Sequence, residues 1–263
     1  MEVIHFGSQS DNPPLLFVHG SYCGAWIWER FFLPAFTQAG WRGAAISLRG
    51  HGESEGREKI DSYGISDYLE DIETGTRLFN SEPIIIGHSL GGYLAQKFAL
   101  ERSIKGLVLL SSPSLLGLQG SVQHVAAHRP MLAMQLGILM TMGSAHADLR
   151  MISDALFCNS KDAEKLESFL PLLQKESSRV MMEASWPDFR TPKIFVPTLA
   201  LGGDEDCFVP EFEYRYEAQF WKGDSKVLRG VSHGVMLDSC WPEVMREILG
   251  WLTSNFPQNS AKT

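Results

Sequence analysis

Short apolar runs bounded by glycine, proline and small polar residues alternate along this chain with longer segments whose apolar positions recur at helical spacing. The runs at 15–18, 43–48, 84–86, 106–110, 198–201 and 226–228 are rich in Val, Ile, Leu and Ala, as strands buried on both faces of a sheet are. An extended opening segment, 3–6, predicts an antiparallel edge strand. Helices are predicted at 26–38, 66–79, 90–101, 211–220 and 243–252. The last of these follows Pro242, which suits a helix start, and places Val244, Ile248, Leu249 and Leu252 on one face. Such alternation predicts an α/β fold, a mostly parallel sheet flanked by helices.

The alternation stops between 114 and 189, where amphipathic helical stretches follow one another without a clear strand. The expected organisation is a sheet domain in two parts, 1–113 and 190–257, with an all-helical cap, 114–189, inserted between them and a flexible polar tail at 258–263. Seven of the ten methionines lie in that cap, either filling gaps between its helices or forming a deformable apolar wall over a pocket.

Composition narrows the choice of partner. The 263 residues carry 31 Asp and Glu against 23 Lys and Arg, with no basic cluster, which argues against nucleic acid. No basic stretch followed by an apolar one opens the chain, and no apolar run is long enough to span a membrane, so a cytoplasmic protein is expected. Cys23, Cys158, Cys207 and Cys240 are scattered, with no zinc-site or redox spacing, and are read as thiols in a reducing compartment. No metal site, dinucleotide motif or cofactor is indicated, and the oligomeric state is left open.

One run does carry chemistry. Ile84-Ile85-Ile86-Gly87-His88-Ser89-Leu90-Gly91-Gly92 is an apolar strand, a Gly-x-Ser-x-Gly turn and the start of a helix, the setting of a nucleophile elbow, with Ser89 as the nucleophile. A serine hydroxyl needs a base, and His233, after the last predicted strand and before the final helix, is the candidate. His88 is read as a packing residue. The base needs an acid, and the loop after the strand at 198–201 offers Asp204 and Asp206; Asp238 lies too near His233 in sequence. Upstream, the strand 15–18 runs into His19-Gly20-Ser21-Tyr22, a loop placed to donate an oxyanion N–H from Ser21, the other coming from Leu90. Tyr22, Met134 and Met140 are the expected substrate contacts.

The order Ser89, Asp206, His233, with His19-Gly20 upstream, resembles the α/β-hydrolase superfamily over nearly the whole chain. Gly203 through Pro210 is similar to its acid loop, and the four-residue spacing of Asp206 from Pro210 makes Asp206 the preferred acid. Ser47-Leu48-Arg49-Gly50-His51-Gly52-Glu53-Ser54 is similar to another turn of the superfamily, with Ser47 where Asp is more usual. A serine nucleophile sets the chain apart from the superfamily's haloalkane dehalogenases and soluble epoxide hydrolases, which use Asp. The stretch 19–28 resembles the plant methyl-esterase and hydroxynitrile-lyase branch, whereas 49–54 resembles the monoacylglycerol-lipase and lysophospholipase branch. The superfamily resemblance implies ester hydrolysis through an acyl-enzyme, the two branches point to different substrates, and the Met- and Leu-rich segment 131–140 predicts a small or medium apolar ester. A thioesterase, a carbon-carbon bond hydrolase or lyase, and a slow-turnover ligand receptor remain as alternatives.

Overall fold

The computed structural model describes residues 1–8, 10–142, 146–157 and 169–257. Its seven strands are β1 Val3–Phe6, β2 Leu15–Val18, β3 Gly43–Ile46, β4 Ile84–His88, β5 Gly106–Leu110, β6 Thr198–Gly203 and β7 Asp224–Leu228. They form one sheet in the order β1-β3-β2-β4-β5-β6-β7. All neighbours are parallel except β1, which runs antiparallel to β3 at the edge.

Period-two alternation explains why the inner strands are apolar at every position. Leu15 and Phe17 of β2, Ile84 and Ile86 of β4, and Val108 and Leu110 of β5 face one buried cluster. Leu16 and Val18, Ile85, and Leu107 and Leu109 face the other. On the first side pack α1 (Trp26–Glu29), α2 (Phe32–Gln38) and, after β7, a final helix, Trp241–Asn255; on the second pack α3 (Ile65–Thr76) and α4 (Leu90–Glu101).

The predicted helix 26–38 is two helices. Pro34 lacks an N–H for the carbonyl of residue 30, and its ring would collide with that carbonyl, so the helix stops and restarts with Pro34 in the new first turn. β6 and β7 run two residues further, at the C-terminal and N-terminal ends respectively, than their apolar runs suggest.

Between β5 and β6 the described residues form α5 (Gln119–His128), α6 (Pro130–Met142), α7 (Leu149–Leu156) and α8 (Ser178–Ala184), and no strand. Their packing divides in two. Val125, Leu132, Leu139, Ile152 and Ala155 form a small core of their own, whereas Val180 and Ala184 of α8 belong to the sheet domain's second cluster. No helix among the described residues is long and apolar enough to cross a membrane. The tail 258–263 and Cys158 lie outside the described residues.

Candidate active site

β4 turns into α4 at Ser89, whose backbone sits at φ 50°, ψ −122°. A non-glycine residue there carries on the order of 1–3 kcal/mol of strain, held in place by the surrounding structure. The Ser89 N–H donates to Leu110 O (2.9 Å), and its carbonyl accepts from Gly92 N (2.9 Å) and Tyr93 N (3.1 Å). The flanking glycines are forced by contact. A Cβ on Gly87 would lie 2.5 Å from Gly91 O, and one on Gly91 2.4 Å from His19 O. The elbow therefore closes only with both side chains absent.

Three loops at the C-terminal edge of the sheet then converge. His233 Nε2 lies 3.1 Å from Ser89 Oγ, and its Nδ1 lies 3.0 and 2.9 Å from the two oxygens of Asp206. An ionised carboxylate can only accept, so the imidazole proton sits on Nδ1 and Nε2 is left to accept from the serine hydroxyl. Burial alone would raise the Asp206 pKa. The charge and hydrogen bond of His233, with Val209 N–H and Tyr214 O–H, outweigh it and hold the carboxyl below its usual range. Asp204 is exposed and accepts instead from Gly230 N (2.6 Å). Asp238 is buried and accepts from the hydroxyls of Ser232 and Ser239.

Of the other buried histidines near the elbow, His88 and His19 are both held down to about 3, chiefly by burial, so both are neutral at pH 7. The His88 ring lies 4.9 Å from that of His233, and its Nε2–H donates to the His233 carbonyl (3.0 Å), pinning the loop that carries His233. His19 Nδ1–H donates to Gly20 O (2.8 Å) and its Nε2 accepts from Leu48 N (3.0 Å), fixing the next loop. Cys23, in that loop, is no thiolate: burial, then the nearby Glu176 carboxylate, push its thiol up to about 12.

Of the expected oxyanion donors, Ser21 lies in the loop after β2 and Leu90 directly follows Ser89. Leu90 is the first residue of α4, a position whose N–H has no acceptor within the helix. Gly20, the residue before Ser21, packs on Ser89 so closely that a Cβ there would meet the Ser89 Cβ at 3.0 Å. Tyr22, at φ 64°, packs with Phe208 against the cap's own core, and the Phe208 ring lies 4.8 Å from that of His233, tilted by 45°. Met134 and Met140, the other expected substrate contacts, lie on α6. Met134 is 48% exposed, and both stand outside the cluster that reaches Tyr22 and Phe208. Helix α6 is apolar on every side, so its methionines had no face from which to infer direction. Leu132 and Leu139 turn inward instead.

A second polar cluster ties the segment before α8 to the sheet domain. The buried Glu176 accepts from Tyr68 O–H (2.7 Å) and Ser177 N (2.7 Å) and pairs with His51 (3.4 Å). Next to it, Gln174 Oε1 accepts from Gly52 N (2.6 Å), and Gln174 N–H donates to Tyr22 O (2.8 Å). Burial opposes the Glu176 charge, but His51 and the hydrogen bonds prevail and keep it ionised. Removing one partner of a buried pair strands the other. Glu176→Ala is therefore expected to cost about 3 kcal/mol or more, read as a lower urea midpoint at an unchanged m-value.

Sequence reasoning did not find Tyr214, Glu176 or Glu2. Tyr214 O–H donates to Asp206 (2.8 Å) from the helix after β6. The Glu2 carboxylate accepts from Ser47 O–H and Glu53 N, bringing to the turn at 47–54 the acid that Ser47 lacks. Only that unusual serine hinted at a carboxylate from elsewhere.

The family model described as "Alpha/beta hydrolase family" matches residues 15–247. Bifunctional epoxide hydrolase 2 of Sus scrofa is 28% identical over 59% of this chain, and the match spans only 28% of that relative's length. Methylesterase 10 of Arabidopsis thaliana is 29% identical over 98% of this chain and 86% of its own. Among solved structures, an esterase from Exiguobacterium antarcticum superposes with a TM-score of 0.76 at 19% identity, covering 95% of this chain and 94% of that one, a likeness of fold.

Proposed function

The chain belongs to the alpha/beta hydrolase family, and on that premise we propose that it is a hydrolase that cleaves a small or medium, largely apolar carboxylic ester through an acyl-enzyme on Ser89. The observation that carries the reading is the unbroken chain of hydrogen-bonding distances from Ser89 Oγ through His233 to Asp206. His233 Nε2 takes the hydroxyl proton as Oγ attacks the ester carbonyl. The amides of Ser21 and Leu90 receive the oxyanion, each such donor being worth on the order of 3 kcal/mol in the transition state. Asp206 stabilises the imidazolium, which then protonates the leaving alcohol. In the second step His233 draws a proton from water, water attacks the acyl carbon, and Ser89 is released.

Apolar surroundings support an uncharged substrate. The cap's core meets the site through Tyr22 and Phe208. A cavity of about 50 Å³ lies beside His88, lined by Cys23, Ile27, Leu156, Phe157 and Met236 among others. On the scale at which ~150 Å³ accepts benzene, it takes about two heavy atoms. The names of the methylesterase and esterase relatives agree with ester chemistry. Epoxide opening on the pattern implied by the superfamily needs a carboxylate nucleophile, and Ser89 is not one.

The test is a fluorophosphonate probe, expected to add once, at Ser89, as located by mass spectrometry. With p-nitrophenyl esters from acetate to dodecanoate, kcat/KM is expected to rise by up to about fourfold per methylene until the cavity is full, by butyrate, and then to fall. A flat series, a preference for a charged acyl group, or acyl thioesters turned over far better than esters would overturn the substrate assignment. Tight binding with negligible turnover would favour a receptor.

A further inference from the structure

Asp206 is held by more than the base it serves. Its Oδ1 accepts from Phe208 N (2.9 Å) and Val209 N (3.0 Å), and its Oδ2 accepts from Tyr214 O–H (2.8 Å). Tyr214 lies on α9 (Glu211–Trp221), eight residues after the acid, and is fully buried. The strand before the acid is shaped to admit it. A Cβ on Gly202 of β6 would lie 2.0 Å from the Tyr214 ring, so the hydroxyl end of the ring packs on backbone that only glycine leaves bare. The hydroxyl is thereby aimed at the carboxylate oxygen that also faces His233 Nδ1 (2.9 Å).

We propose that Tyr214 is a positioning residue that sets the proton affinity of His233, acting through the carboxylate of Asp206; the assignment rests on the Ser89-His233-Asp206 reading. A carboxylate that already accepts a strong neutral donor on the oxygen facing the imidazole offers less charge to the imidazolium. The hydroxyl thus keeps His233 deprotonated, and so competent as a base, at a lower pH than Asp206 alone would allow. It also fixes the rotation of the carboxylate, so that Oδ2 stays in line with Nδ1.

The other groups around this pair leave Tyr214 as the tuning element. On the elbow, His88 faces His233 as a neutral ring. From the cap, His124 on α5 interacts with Asp206, and burial lowers its pKa, so it too is neutral at pH 7. One turn beyond Tyr214, the buried Glu217 has its carboxyl pushed well above the usual range, chiefly by burial, and accepts from Gln96 Nε2 (2.7 Å). Burial and the Asp206 charge hold the Tyr214 hydroxyl protonated and therefore a donor throughout the working range.

Two variants test the assignment. Tyr214→Phe keeps the ring over Gly202 and removes only the hydroxyl. Site-specific 3-fluorotyrosine at 214 keeps the hydroxyl and makes it a stronger donor. In the phenylalanine variant the acid limb of the kcat/KM profile on p-nitrophenyl butyrate is expected to move up by about 0.5–1 pH unit. That corresponds to about a 3- to 10-fold loss below the limb, with little change above it and an unchanged KM. The fluorotyrosine variant moves the limb down. The NMR titration of ¹⁵N-labelled His233 should shift in the same two directions. Because that titration needs no turnover, it separates failure of this assignment from failure of the ester-hydrolase reading. An unmoved limb and titration in folded Tyr214→Phe, or shifts of the same sign in both variants, would overturn it. Should Tyr214→Phe not fold, the fluorotyrosine titration decides alone: a downward shift supports the role and no shift overturns it.

Discussion

Ser89→Ala is expected to leave a folded protein whose ester turnover is down by about 10⁴-fold or more in kcat. The fold should survive because the hydroxyl takes no part in holding the elbow. The strained turn is fixed by the Ser89 N–H to Leu110 O and by the bonds from Gly92 N and Tyr93 N to the Ser89 carbonyl. Alanine keeps all three, and its Cβ meets the same strain at φ 50° that serine already bears. Activity should fall because no other group can take over. His88 and His19 are neutral and committed to backbone bonds, and the Cys23 thiol is held protonated by burial. Thermal unfolding that matches the parent, together with absent fluorophosphonate labelling and turnover, is the expected result. Near-normal kcat in purified Ser89→Ala would remove the proposed mechanism.

What could be read from the sequence was local, and what could not was held at long range. Strands β2, β4 and β5 stood out because burial on both faces demands apolar residues at every position. The elbow stood out because the strand, two obligatory glycines and a helix start fall within nine residues. His233 and the pair Asp204 and Asp206 stood out as candidates through their place after particular strands, and the preference for Asp206 came from the resemblance of 203–210 to an acid loop. By contrast Glu2 reaches Ser47 across 45 residues and Glu176 reaches Tyr68 across 108. No spacing rule connects such pairs. Tyr214 sits on a helix whose pattern reads simply as amphipathic, and its partner Gly202 reads as part of a turn after a strand. Which side of α6 turns inward was illegible for a related reason: with apolar residues on every face, periodicity cannot say.

Several of these contacts hold the loops bearing the proposed catalytic groups rather than act on a substrate. His88 pins the carbonyl of His233, Gln174 pins the carbonyl of Tyr22, and Glu176 anchors the segment that carries Gln174. A site built on loops at the edge of a sheet needs such ties, because loop backbone has no ladder of its own to fix it. The Glu176 cluster therefore couples stability to geometry at the loop of the proposed oxyanion donor Ser21, and its loss should be felt first as a weaker fold.

Asp206→Asn should reduce kcat by about 10⁴-fold, whereas Asp204→Asn should change it by no more than about twofold. The difference follows from what each oxygen accepts. Oδ1 of Asp206 receives two backbone N–H groups, Phe208 and Val209, so an asparagine there must turn its carbonyl oxygen toward them. Its NH₂ then occupies the place of Oδ2, facing Tyr214 O–H and His233 Nδ1. An amide donor at that point forces the histidine proton from Nδ1 to Nε2, and Nε2–H aimed at Ser89 Oγ cannot accept the serine proton. The variant is thus a folded protein holding the wrong tautomer. Asp204, being exposed and bonded through one oxygen to Gly230 N, loses nothing when its other oxygen becomes an amide. Steady-state kinetics on one short p-nitrophenyl ester, with ¹⁵N NMR of His233 to read the tautomer, compare the two directly. A crippled Asp204→Asn beside an active Asp206→Asn would reverse the assignment of the acid.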